Sequence, residues 1–160
     1  MRAPPSNRLS RAPDGSLARF DFAGLVALVV EPDEDSRGEL QAALVEIGFV
    51  KPIGVPTANR AIEMAGKIPP DILLCDVSLD YPDGWDGLQF LQEIREDSTP
   101  VPVEIPVLMF AGEAGSFSVM EAKRLGIDGY LAKPVPLKRL EMSLKRILTK
   151  RFAERVTRPT

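Results

Sequence analysis

The sequence predicts an α/β protein built on a doubly wound parallel sheet, and three observations lead there. Apolar runs of strand length recur five times between residues 25 and 132. The longest of them are too continuous for strands with one wet face. Each run is followed by a stretch whose apolar residues fall at helical spacing. Several runs end in groups able to do chemistry, which is where open parallel sheets place their sites. Right-handed crossovers with both faces of the sheet covered then give a (βα)5 layer sandwich.

The elements follow in order. Residues 1–20 carry Pro4, Pro5, Pro13, Gly15 and several arginines with no hydrophobic period, so residues 1–22 are expected to form a flexible arm. Leu25–Val30 reads as a buried strand. Asp33-Glu34-Asp35-Ser36 starts a helix with acids opposing its dipole, Leu40, Leu44 and Ile47 form its inner stripe, and Gly48 ends it. A short strand is expected within Phe49–Val55. Thr57 then caps a helix with Ala61, Ile62 and Ala65 inward. Pro69-Pro70 stops that helix and leads into the strand Asp71–Asp76. Asp80–Gly87 is loop chemistry, with Trp85 as a packing anchor, and Leu88, Leu91 and Ile94 mark the third helix. Ile105–Phe110 is the fourth strand; Val119, Ala122 and Leu125 mark a helix that Gly126 ends. Tyr130–Ala132 is a short fifth strand, and Leu137, Leu140, Leu144, Ile147 and Leu148 mark the last helix.

At 160 residues the chain suits one domain, placed at residues 23–150, with a basic extension at 151–160. No run of 18 apolar residues is present, so no membrane span is expected, and the basic N-terminus lacks the apolar stretch of a secretory signal. The sequence contains no histidine, which excludes His-based triads and His-ligated zinc. Its one cysteine, Cys75, lies in an apolar strand and reads as a small core residue. Residues 25–132 hold 19 acids and 7 bases, whereas residues 133–160 hold 9 bases and 2 acids. An acidic body with a basic end suggests a cation site and a separate contact surface.

Asp76 with Asp86-Gly87-Leu88, and the run Gly129-Tyr130-Leu131-Ala132-Lys133-Pro134, carry a family resemblance. Over about residues 25–148 the chain resembles a response-regulator receiver domain. The resemblance implies the flavodoxin-like strand order 2-1-3-4-5 and a function in two-component signalling rather than as an enzyme. It implies Asp76 as phosphoacceptor, Lys133 as the catalytic cation on the phosphoryl oxygens, and a Mg2+ site from Glu31, Asp76 and the Ser78 carbonyl. Ala111 and Tyr130 take the switch positions. Lacking histidine, the chain would draw its phosphoryl group from a partner's histidine.

Two positions depart from the family. Pro32 stands where a second acid is usual, and proline offers neither a carboxylate nor an N–H. Asp33 is the nearest replacement ligand, with helix capping as its other use. Ala111 replaces a Ser or Thr, removing one hydrogen bond to the phosphoryl group. Mg2+ is therefore expected to bind weakly.

The expected function is that of a stand-alone phospho-receiver in the cytoplasm, since no output domain fits after residue 148. Its expected partners are a histidine kinase or histidine phosphotransfer protein, a downstream protein target and a second copy of the chain. Direct DNA binding is not expected. The alternative is a pseudo-receiver that binds proteins without phosphorylation. An aspartyl phosphatase fits poorly because Ser78 replaces the second acid such enzymes place there. A nucleotide site is excluded because Glu31-Pro32-Asp33-Glu34 would repel phosphate. Phe152 and Val156 continue the stripe of Leu140, Leu144 and Leu148, so the last helix is expected to run on and to assist self-association.

Overall fold

A computed structural model of the chain describes residues 10–11, 17–78, 86–112 and 119–157. Trp85, most of its loop and much of the N-terminal arm lie outside the described residues. In chain order the strands are β1 (Ser10–Arg11), β2 (Leu17–Phe20), β3 (Ala27–Val30), β4 (Ile53–Val55), β5 (Ile72–Asp76), β6 (Val107–Ala111), β7 (Gly129–Ala132) and β8 (Val156–Thr157). The helices are α1 (Glu34–Ile47), α2 (Ala58–Lys67), α3 (Gly87–Arg95), α4 (Val119–Arg124) and α5 (Leu137–Arg151). Strands β4-β3-β5-β6-β7 form one parallel sheet, which is the order 2-1-3-4-5 among these five.

The continuous apolar strands serve two cores at once. Along β5, Leu73 and Cys75 face one cluster with α2, α3 and α4, while Ile72 and Leu74 face the other with α1 and α5. The period of two and the burial on both faces follow from that arrangement. Helix starts are set locally. Asp33 accepts from the Ser36 N–H, Thr57 from the Arg60 N–H and Asp86 from the Gln89 N–H. At the far end of α1, Gly48 takes a φ of 141°, which a side chain would resist.

Residues 17–20 differ from the expected flexible arm. They form β2, which pairs antiparallel with β8 through Arg19 with Thr157 and Phe20 with Val156. Phe20 and Phe22 are buried, and Phe22 stacks tilted against Phe49 with ring centroids 5.1 Å apart. The cause is apolar surface at the end of the α1/α5 layer, which these rings cover. Helix α5 likewise stops earlier than expected. Phe152 is its C-cap, and a 3-10 turn at Ala153–Arg155 turns the chain into β8. Phe152 and Val156 therefore pack, half-buried, on the core of their own chain instead of continuing the α5 stripe.

Arg95 ties the lower loops together. Its guanidinium donates to the carbonyls of Leu125 (2.9 Å), Val103 (2.6 Å), Ile105 (3.0 Å) and Gly126 (2.8 Å). It thereby satisfies the open end of α4 and the proline-rich connector before β6. Burial draws its pKa below the usual arginine value, only partly offset by Asp128 and Glu104.

Candidate functional site

The site is assembled at the C-terminal edge of the sheet. Asp76 is the last residue of β5 and Glu31 follows β3, so adjacent strands deliver both carboxylates to one place. The loop after β7 delivers Lys133, whose N–H donates to the Ala111 carbonyl at 3.0 Å. The Lys133-Pro134 peptide is cis. The Lys133 ammonium donates to both Glu31 Oε1 and Asp76 Oδ2. Glu31 is 2% exposed and Asp76 4%, so two nearly dry carboxylates share one cation.

Backbone donors hold the remaining oxygens. The Ser78 N–H donates to Asp76 Oδ1 at 2.6 Å, and the Asp33 N–H to Glu31 Oε2 at 3.1 Å. Arg37, on the first turns of α1, donates to the Glu31 carbonyl at 2.9 Å and so fixes the loop between β3 and α1. Sequence reasoning did not single out Arg37, because a bond to a main-chain oxygen leaves no residue-type signature. Asp86-Gly87 has a local reason as well. A Cβ on Gly87 would come within 2.6 Å of the Asp76 carbonyl oxygen, so only glycine lets α3 start against the end of β5.

Electrostatics follow the burial. Burial pushes the Glu31 carboxyl up, further than the bonds from Lys133 and the Asp33 N–H pull it down. For Lys133, burial pulls the ammonium down, but the bonds to Asp76 and Glu31 outweigh it and its pKa rises. Lys133 is therefore a fixed positive charge at neutral pH. Burial, reinforced by Asp76 and Glu31, pushes the Cys75 thiol well up, so Cys75 is an inert core residue.

The expected site residues fall into two groups. Glu31, Asp76, Ser78 and Lys133 converge through the contacts above. Asp33 instead caps α1, and the bond from the Ser36 N–H holds its carboxyl below the usual range. Ala111 is fully buried, and Tyr130 is half-buried against the same cluster. A cleft of about 310 Å³ opens beside the site between α1 and α5, with Glu31 and Lys133 at one end and Leu40, Phe110 and Leu140 along it.

Mg2+ prefers hard oxygen donors and keeps several waters, so two carboxylates and a carbonyl meet its needs. Glu31 and Asp76 fit that set, since both present carboxylate oxygens already gathered around one cation. No third carboxylate joins them among the described residues. Pro32→Asp should supply one, and is expected to tighten Mg2+ roughly ten-fold or more by direct attraction. Calorimetric titration of both proteins with MgCl2 checks this; equal affinities would mean that the position does not face the metal.

Known proteins resemble the chain in sequence and in fold. A family model described as "Response regulator receiver domain" matches residues 27–145. The transcriptional regulatory protein CseB of Streptomyces coelicolor is 35% identical over 107 residues, covering 67% of this chain and 42% of CseB. The chain thus spans less than half of that relative. A crystal structure from Chloroflexus aurantiacus, described as a response regulator, is 27% identical at a TM-score of 0.68 and covers 78% of this chain and 98% of its own. The receiver domain of a Pseudomonas aeruginosa sensor histidine kinase is 25% identical at a TM-score of 0.65, with 78% and 98% covered. That neighbour holds a magnesium ion in its active-site cleft.

Proposed function

Because the chain belongs to the response regulator receiver family, we propose that it accepts a phosphoryl group on Asp76 and signals by protein contact. The observation that carries this reading is Lys133 spanning Glu31 and Asp76 at the sheet edge. An Asp76 carboxylate oxygen attacks phosphorus, and the P–N bond of a partner's phosphohistidine breaks. The imidazole nitrogen keeps the electron pair and takes a proton, and an acyl phosphate remains on Asp76. The donor histidine lies outside these 160 residues, which contain none. A histidine kinase or histidine phosphotransfer protein would enter beside the cleft between α1 and α5.

Each residue then has a task. Lys133 keeps its charge and balances the phosphoryl oxygens as charge builds there. The Ser78 N–H orients Asp76 so that one oxygen stays fixed. Arg37 and the Asp33 N–H hold Glu31 in place. Mg2+, when bound, supplies further positive charge to the transferring group, and Glu31, Asp76 and the Ser78 carbonyl would hold it. We place this chemistry in the cytoplasm; among the described residues no helix is long and apolar enough to cross a membrane.

The second reading is a pseudo-receiver that binds partners without phosphorylation, and Pro32 and Ala111 favour it. Exposure to acetyl phosphate and MgCl2, followed by mass analysis, separates the two. A gain of one phosphoryl group that is absent from Asp76→Asn is the expected result. No label at saturating donor, or label on another residue, would leave the pseudo-receiver.

A further inference from the structure

The edge of the sheet opposite Asp76 carries a second feature that phosphoryl transfer does not use. A cleft of about 200 Å³ opens there, lined by Arg146, Lys150 and Arg151 from α5, with Glu104 and Asp128 facing them and Ile147 as an apolar wall. All three cations are exposed. Among the described residues none of them forms an ion pair, and Arg146 makes only a long 3.5 Å bond to the Asp128 carbonyl. Asp128 is partly committed, because its Oδ2 accepts from the Val107 N–H at 2.8 Å.

Complementing the helix dipole accounts for Lys150 and Arg151, which lie in the last turn of α5. It does not account for Arg146, since that effect fades beyond the last turn. The cations also stand against the rest of the molecule. Residues 25–132 hold 19 acids and 7 bases, so this cluster is a positive pole on an acidic body.

We propose that this cleft is a docking site for an acidic segment of a partner protein, at the end of the domain opposite the phosphoacceptor. Arg146 and Lys150 lie one turn apart on the same face of α5, separated by about 6 Å of helix rise. Side chains on one face of an extended segment repeat at about 6.8 Å, so successive carboxylates can meet successive cations. A lone phosphate would reach only part of such a row. Duplex nucleic acid would bring its negative charge against the acidic body as well as the cleft, whereas a short segment meets only the cleft, where three cations outnumber Glu104 and Asp128. Docking at this edge leaves Asp76 and the cleft between α1 and α5 free, so a partner held here can stay in place during phosphoryl transfer. The proposal does not depend on phosphorylation of Asp76.

The test uses the full chain and a fluorescein-labelled peptide of alternating Glu and Ser, read by anisotropy at low salt. The triple variant R146Q/K150Q/R151Q is expected to bind roughly ten-fold more weakly, from the loss of three exposed pairs. Added salt should weaken wild type more than the variant. K123Q/K138Q/R139Q removes three charges elsewhere and should bind as wild type does, as should Asp76→Asn. Lys150→Glu alone, which alters one exposed side chain, should also weaken binding and serves if the triple variant melts early. Equal binding by wild type and the cleft variants, an equal loss in the control triple, or no peptide binding at all would overturn the proposal. So would tighter binding of a short DNA duplex with the same dependence on Arg146, Lys150 and Arg151.

Discussion

Phe22→Ala is expected to destabilise the chain by about 3–5 kcal/mol, the range for removing a fully buried aromatic ring. Phe22 is 1% exposed, yet it lies outside the residues that the family model matches. Its ring joins Phe20, at 4.8 Å, to Phe49, and those rings close the end of the α1/α5 layer. Removing it opens a cavity between β2 and α1 that backbone movement can fill only in part, because β2 is held by β8. Urea unfolding of the full chain measures the effect. Val45→Ala, at a 43% exposed position on α1, should change stability by no more than about 0.5 kcal/mol. A Phe22→Ala loss as small as that of Val45→Ala would mean that residues 17–22 are an appendage rather than part of the folding unit.

That strap also marks where the sequence was hard to read. The αβ repeats were legible because their signals are local: Asp33 precedes its helix, Leu40, Leu44 and Ile47 share a face, and Gly48 ends it. The site was legible for a related reason. Strand ends are visible as the last polar residue of an apolar run, and parallel strands bring such ends together whatever lies between. The β2–β8 pairing offers no comparable signal, since its strands are short and their partners lie at opposite ends of the chain. Phe20-Asp21-Phe22 has the alternation of a strand, but the surrounding Pro and Arg residues dominate its composition. The end of α5 was misjudged because Phe152 and Val156 fit a helical stripe, and only the presence of Phe20 gives them a better place to pack. Arg37 and Arg95 were missed because they bind carbonyl oxygens, which every residue has.

Lys133→Met is expected to remove phosphoryl uptake and to make stability depend on pH. The substitution keeps most of the stem and deletes the charge that Glu31 and Asp76 share. Their side chains are 3% and 5% exposed, so without the ammonium two carboxylates face each other with little water between them. Breaking a fully buried pair costs about 3–5 kcal/mol. Water reaches Lys133, whose side chain is 27% exposed, so a loss of about 2 kcal/mol at neutral pH is the expected scale. The sign with pH follows from which state holds protons more tightly. Burial already raises Glu31, and losing the cation raises it further above its unfolded value. A carboxyl raised in this way favours the folded state below its unfolded pKa, and that advantage is lost as pH rises through the folded value. The deficit of the variant should therefore shrink on acidification toward about pH 4 and be greatest at neutral pH. Urea unfolding across that range, alongside labelling by acetyl phosphate, reads both effects. Wild-type labelling would remove Lys133 from the transfer step. A deficit that does not change with pH would mean that the ammonium does not govern the ionisation of Glu31.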